Sequence, residues 1–303
     1  MVGNSFADMY AKCSQISGEE DILVENTLFA MCGKCNWIFK KQRINVAACN
    51  LFQEFNQESL NNFKATYKFY YCGPLKACGR VGSLDVGEEI HANVSKQGLL
   101  ETNIIVGNAL IDMYAKCGVI IKAREVLKEL CVRDLTCWNA LIAGYAQQGQ
   151  GYEALTCLEQ MQSDGLSPDG VTLLSALSAC SHCGLLEESQ ILFEDMSRKY
   201  SLTPKLEHHT CMIVAFGRAG KFEKAMSVIK AMPLSDCSTV WLALLSACRK
   251  WGNVKLGILA FDQIIQLDSG CASAYVLIAD IFTSVGMQKD AENVETMRWK
   301  YAL

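Results

Sequence analysis

VGNALIDMYAKC, Val106 to Cys117, decides the fold because the chain writes it twice: Met1 to Cys13 reads MVGNSFADMYAKC. Val2 recurs as Val106, three periods of roughly 35 residues further on, which is the mark of a helical-repeat array. Working outward, a glycine follows each copy's register down the chain: Gly82, Gly118, Gly149, Gly184, Gly220, Gly252 and Gly286. Four positions before each stands an aromatic or a cysteine: Cys78, Tyr114, Tyr145, Cys180, Phe216, Cys248 and Phe282. Five positions after each stands a small residue: Gly87, Ala123, Ala154, Ser189, Ala225, Gly257 and Ala291.

The columns predict one unit. An apolar helix runs into a glycine that takes the left-handed conformation closing it. A second helix follows, its small residue allowing close approach and the aromatic or cysteine filling the space between. One such hairpin leaves an apolar flank open, so units must stack. The expected fold class is all-α, an alpha-alpha superhelix of helix-turn-helix hairpins with a concave face. Regular units are expected at 68–103, 104–134, 135–169, 170–205 and 206–237, with two further units at 238–271 and 272–303. Residues 1–67 read as degenerate or interrupted repeats, with Asn36 to Asn45 a basic insertion.

Composition narrows the classes. With 303 residues, half of them hydrophobic, a large core can be buried. No run reaches the roughly eighteen apolar residues of a membrane span. The net charge of −4 provides no global attraction for polyanions, so any nucleic-acid site must be local. Sixteen cysteines fall largely at helix-interior columns, where free cysteine packs as a small hydrophobe in a reducing compartment. The chain starts inside a repeat and shows no signal or transit peptide, so a truncated amino terminus is expected.

Asn108-Ala-Leu-Ile-Asp-Met-Tyr-Ala-Lys-Cys-Gly118, Trp138-Asn-Ala-Leu-Ile-Ala-Gly-Tyr-Ala-Gln and Leu177-Ser-Ala-Cys-Ser-His-Cys-Gly184 closely resemble pentatricopeptide repeats. Unit lengths near 36, 31 and 35 look like the plant subclass of P, L and S units. By that resemblance 68–103 is L, 104–134 S, 135–169 P, 170–205 L and 206–237 S. The stretch from Val240-Trp-Leu-Ala-Leu-Leu-Ser-Ala-Cys-Arg to Ala274-Tyr-Val-Leu-Ile-Ala-Asp resembles the two E-type motifs that follow such arrays.

The resemblance implies binding of single-stranded organellar RNA, one base per unit, read by the fifth and last residues. Asn108 with Asp134 and Asn139 with Asp169 match the pair that the family uses for uracil. Asn103 supplies only the last residue of its unit, beside Cys72, and Thr210 only the fifth, opposite Cys237. Leu174 with Lys205 offers little selection. The second residue of each unit normally forms a wall against the base, here Phe69, Ile105, Thr136, Val171 and Glu207. An Asn at a helix start can equally be a cap, and an Asp closing a loop a turn residue.

The family context implies a specificity factor for organellar C-to-U editing, in mitochondrion or chloroplast. The tail at 238–303 would dock a deaminase or another editing protein in trans. The deaminase signature H-x-E with P-C-x-x-C is absent from the sequence. Cys32/Cys35 and Cys180/Cys183 have C-x-x-C spacing, but no second pair stands at finger distance. The expectation is therefore no enzyme, no cofactor and no metal. The alternatives are a peptide-binding scaffold like tetratricopeptide arrays, or an inactive truncated fragment.

Overall fold

The computed structural model describes residues 67–232 and 237–301; the reading of 1–67 as degenerate repeats lies outside the described residues but for Tyr67. Fifteen helices are described: α1 Tyr67–Val81, α2 Leu84–Lys96, α3 Leu99–Thr102, α4 Ile104–Lys116, α5 Ile120–Glu129, α6 Leu135–Gln147, α7 Gly151–Ser163 and α8 Gly170–Cys183, then α9 Leu186–Arg198, α10 Leu206–Arg218, α11 Phe222–Ala231, α12 Ser238–Trp251, α13 Val254–Leu267, α14 Ala272–Ser284 and α15 Gln288–Tyr301. No strand occurs among the described residues. The short α3, a single turn after α2, is an addition to the two-helix unit that the columns predict.

Every glycine of the ladder has a positive φ, between 61° and 83°. The residue after each glycine donates its N–H to the carbonyl of the aromatic-or-cysteine column: Val119 to Tyr114 at 2.9 Å, Leu185 to Cys180 at 2.9 Å, Lys221 to Phe216 at 2.9 Å and Asn253 to Cys248 at 3.0 Å. This is the 6→1 bond of a Schellman ending. It explains why the two columns keep one spacing while total unit length varies. The ending fixes the turn, and the length differences fall after it, chiefly in the second helices: α5 and α11 have 10 residues, α7 and α9 have 13.

First and second helices differ in what they bury. The first helix α4 buries Val106, Gly107, Ala109, Leu110, Ile111, Met113, Tyr114 and Ala115, because it is covered on several sides. The second helix α9 buries only Ser189, Leu192 and Met196, one stripe at helical spacing. All three sequence columns that define the unit lie where that scheme needs them. The aromatic-or-cysteine residues are buried, and so are the small residues five after each glycine.

The chain divides into two compact units at Leu141/Ile142, within α6. In the first, α1 packs on α4, α2 on both, and α5 on α4. In the second, α8, α10, α12 and α14 pack each on the next, making a continuous layer of first helices. The second helices α9, α11, α13 and α15 each lie against their own first helix. Carbonyls at the end of one first helix are closed by side chains of the next. Arg218 Nη1 donates to Ser181 O at 3.2 Å, Lys250 Nζ to Arg218 O at 3.2 Å, and Trp251 Nε1 to Gly217 O at 2.9 Å.

Within that layer Gly217 leaves no room for a side chain. A Cβ built there would overlap the Cβ of Ala247, an atom that moves only if its helix moves. Gly217 therefore sets the distance between α10 and α12.

Candidate nucleic-acid interface

On each first helix one stripe is left outside the packing. On α4 it is Ile105, Asn108, Asp112 and Lys116, spaced three and four apart on one face. Ile105 is 38% exposed, Asn108 and Asp112 are half-buried, and Lys116 pairs with Asp112 at 2.6 Å. On α8 the same positions are Val171, Leu174, Ser178 and His182, and on α10 Glu207, Thr210, Val214 and Arg218. Val171 is 59% exposed. An isoleucine and a valine thus stand open to water at the starts of first helices.

Asn108 and Asp134, 26 residues apart, meet in the first unit. The Asn108 amide Nδ2 donates to both carboxylate oxygens, at 3.1 Å to Oδ1 and 3.2 Å to Oδ2. A carboxylate only accepts, so it holds the amide with its NH2 toward Asp134. Oδ1 of Asn108 is then left buried with no partner among the described residues. Leaving such an acceptor unmatched costs roughly 1–3 kcal/mol.

Asp134 has a second task. Its Oδ1 accepts from Cys137 N at 3.0 Å, an N-cap on α6. The Cys137 thiol is buried beside it and is pushed up to about 12, by desolvation first and by the Asp134 charge next. In the second unit Asp169 caps α8 more completely. Its Oδ1 accepts from Thr172 N and Thr172 Oγ1, both at 2.8 Å, and Asp169 N donates to Thr172 Oγ1 at 3.2 Å. The two acids thus take the local capping role that their sequence positions also allow, and Asp134 in addition orients an amide.

Asn139 is half-buried on α6 in the first unit, and Asp169 belongs to the second. Thr136, one turn before Asn139, is exposed. Asn103 is half-buried at the N-cap of α4 and makes no side-chain cap bond. Cys72 donates its thiol to Ile105 O at 3.7 Å. The Thr210 hydroxyl donates to Leu206 O at 2.9 Å, so its proton is committed to its own helix. Cys237 is bonded to Thr239 Oγ1 at 2.9 Å. The Phe69 side chain lies outside the described residues.

A column that the sequence reading passed over appears at the other end of the stripe. Two residues before five of the seven ladder glycines stand Arg80, Lys116, His182, Arg218 and Lys250, all exposed; at the other two stand Gln147 and Ser284. Its signal was available: a lysine or arginine recurs at one offset from four of the glycines although the whole chain is acidic. The C-x-x-C pair behaves differently. Cys180 is buried and burial pushes its thiol up to about 12, whereas Cys183 is exposed and bonded to Gly149 O at 2.6 Å and Gly151 N at 3.0 Å. Among the described residues no group of three or more His, Cys, Asp or Glu is placed to hold a metal ion.

Away from the stripe, Glu88, His91, Ser95, Tyr114, Lys122 and Glu129 are among the residues lining a polar cavity of about 350 Å3. Lys122 pairs with Glu88 at 2.6 Å, and His91 Nδ1 shares a hydrogen with Tyr114 OH at 2.9 Å. Burial holds the His91 imidazole below its ordinary value and pushes the Tyr114 phenol up to about 12.

A family described as PPR repeat family matches residues 133–182, and the PPR repeat matches 108–135, 171–200 and 207–237. The chain is 42% identical over 228 residues to a pentatricopeptide repeat-containing protein of Arabidopsis thaliana, covering 74% of this chain and 45% of that one. A second Arabidopsis thaliana protein of the same description is 33% identical over 300 residues, covering 97% and 43%. The chain therefore spans less than half the length of these curated relatives. Among solved structures it is similar to the pentatricopeptide repeat protein PPR10 from maize, with a TM-score of 0.62 at 17% identity over 98% of this chain and 43% of that one. It is also similar to PPR10 in complex with an 18-nt psaJ RNA element, with a TM-score of 0.55 at 15% identity over 95% and 50%. At such identities the likeness shows the fold, a helical-repeat solenoid.

Proposed function

We propose that this chain, which carries repeats of the PPR repeat family, binds single-stranded RNA along the open stripe of its first helices. The observation that carries this reading is the Asn108–Asp134 contact. It joins the fifth and last residues of one unit, and it aims an amide whose oxygen lacks a partner. On this reading the strand uncovers that buried oxygen, and an acceptor held in that orientation suits a base presenting a donor, such as the N3–H of uracil, and opposes one presenting an acceptor, such as N1 of adenine. Ile105 and Val171 supply exposed apolar walls. The cations Arg80, Lys116, Arg218 and Lys250 suit a phosphate chain despite the net charge of −4.

On this reading 68–237 comprises L, S, P, L and S units and 238–303 two E-type motifs. The chain is a binding scaffold for organellar transcripts in mitochondrion or chloroplast, and any chemistry, including C-to-U editing, is supplied in trans. The fifth residues are Cys72, Asn108, Asn139, Leu174 and Thr210 up to residue 237, and both of those in 238–303, Leu242 and Val276, are apolar. Val276 and Leu277 help line a cavity of about 400 Å3 with Ala272, Ser273 and Arg298. That favours a protein partner such as a deaminase for 238–303 rather than more bases.

Equilibrium titration of the chain with a short uridine-containing single strand and with its all-adenine counterpart tests the proposal. The uridine strand is expected to bind about tenfold more tightly, a difference of ~1.4 kcal/mol. Both affinities should fall steeply with salt. Equal binding of the two strands would remove base reading from the proposal.

A further inference from the structure

We propose that His208 is a positioning residue that ties the starts of two consecutive first helices and so fixes the spacing between adjacent unit ends, Asp169 and Lys205. The tie is a matter of geometry; its consequence for ligand spacing rests on the RNA reading above.

His208 is 3% exposed, one of four buried polar side chains among the described residues. Its Nδ1 accepts from Lys205 N at 3.1 Å, and its Nε2 donates to Gly170 O at 2.9 Å. A backbone N–H only donates and a carbonyl only accepts, so these partners select the tautomer with hydrogen on Nε2. One ring therefore spans 38 residues of sequence. It joins the residue that opens α10 to the first residue of α8, immediately after Asp169.

The neighbouring unit shows what the imidazole adds. Thr172 is the third residue of α8's unit, as His208 is of α10's. Its Oγ1 accepts from Asp169 N at 3.2 Å, closing its own helix start just as His208 Nδ1 closes that of α10. A hydroxyl suffices for that local bond. Only the longer ring also reaches back to the preceding first helix. Lys205 and Asp169 are the last residues of consecutive units, a position that the family resemblance pairs with the fifth residue in base reading. A ligand with fixed internucleotide spacing would thus find the two positions held at a set separation.

The substitution that isolates the tie is His208→Thr, which keeps the helix-start bond in the manner of Thr172 but cannot reach Gly170. His208→Gln restores a long amide donor toward that carbonyl. Hydrogen exchange of peptides covering 168–175 and 204–212 is compared in the parent and both variants, alongside titration with the uridine-containing strand. The expected result for His208→Thr is roughly tenfold faster exchange at both helix starts. RNA binding should weaken about tenfold with unchanged far-UV circular dichroism, and His208→Gln should recover both. Faster exchange confined to 204–212 would reduce His208 to a cap and overturn the tie. Altered exchange at both starts with parental RNA affinity would overturn the spacing role. If the parent itself bound no RNA, the RNA reading and the spacing role would fall together, and the exchange comparison would still decide the tie.

Discussion

Asn108→Ala is expected to abolish the uridine preference of the chain while leaving its helices intact. Asn108 caps no helix, and its amide Nδ2 donates to both carboxylate oxygens of Asp134. Truncation therefore removes an oriented acceptor without uncapping α4 or α6. Loss of one such recognition contact is worth roughly 1–3 kcal/mol, or about tenfold and more in relative affinity for uridine over adenine. Asp134 needs finer treatment because it serves two partners. Asp134→Asn keeps an oxygen for the Cys137 N–H but removes the acceptor-only group that fixes the amide's orientation. It should weaken the preference at nearly parental stability. Asp134→Ala loses the cap as well, at a cost of about 1 kcal/mol. Binding-isotherm ratios for the two strands, read beside thermal melts, separate these cases. If Asn108→Ala discriminated as well as the parent, the contact would be a helix-start device and no more.

Gly217→Val is expected to be the most disruptive single change in the second unit. Helix propensity favours the substitution, since glycine is poorer than valine in a helix interior. Packing opposes it, because the new Cβ overlaps the Cβ of Ala247 across the α10–α12 contact. Neither atom can rotate away, so the helices must part, and overpacking of this kind costs up to about 3 kcal/mol. For a body of this size that is a fall of roughly 6–12 °C in melting temperature. Pairing it with Ala247→Gly should return a large part of the loss, a coupling that a double-mutant cycle measures directly. Stabilisation by Gly217→Val alone would mean that propensity outweighs packing there.

The all-helical repeat fold was legible because three requirements fall on fixed residues. The left-handed helix ending needs a glycine, the 6→1 bond fixes the offset to the buried column before it, and close helix pairing needs a small residue after it. Gly217 was not legible in the same way. A helix-interior glycine carries no sign of which neighbour approaches it, and Ala247 lies 30 residues away. The site was legible in part. Asn108 and Asp134 could be paired by position, but sequence alone could not say that Asp134 would divide its Oδ1 between an amide and a helix start. Nor could it say that Asp169 would close a box with Thr172. His208 carries no legible signal, because its two partners are backbone groups and backbone leaves no motif. The cation column was visible but hidden behind an acidic total, since net charge averages over faces that a ligand meets separately.

The central claim is that an RNA strand lies along the first helices with its bases at their second and fifth residues. Photocrosslinking with a single strand carrying 4-thiouridine, followed by peptide mass spectrometry, tests it most directly. Uridine-dependent adducts are predicted within Ile105–Asn108 and Thr136–Asn139. Adducts confined to second helices such as α5 and α9, or none that depend on the thiouridine, would contradict it.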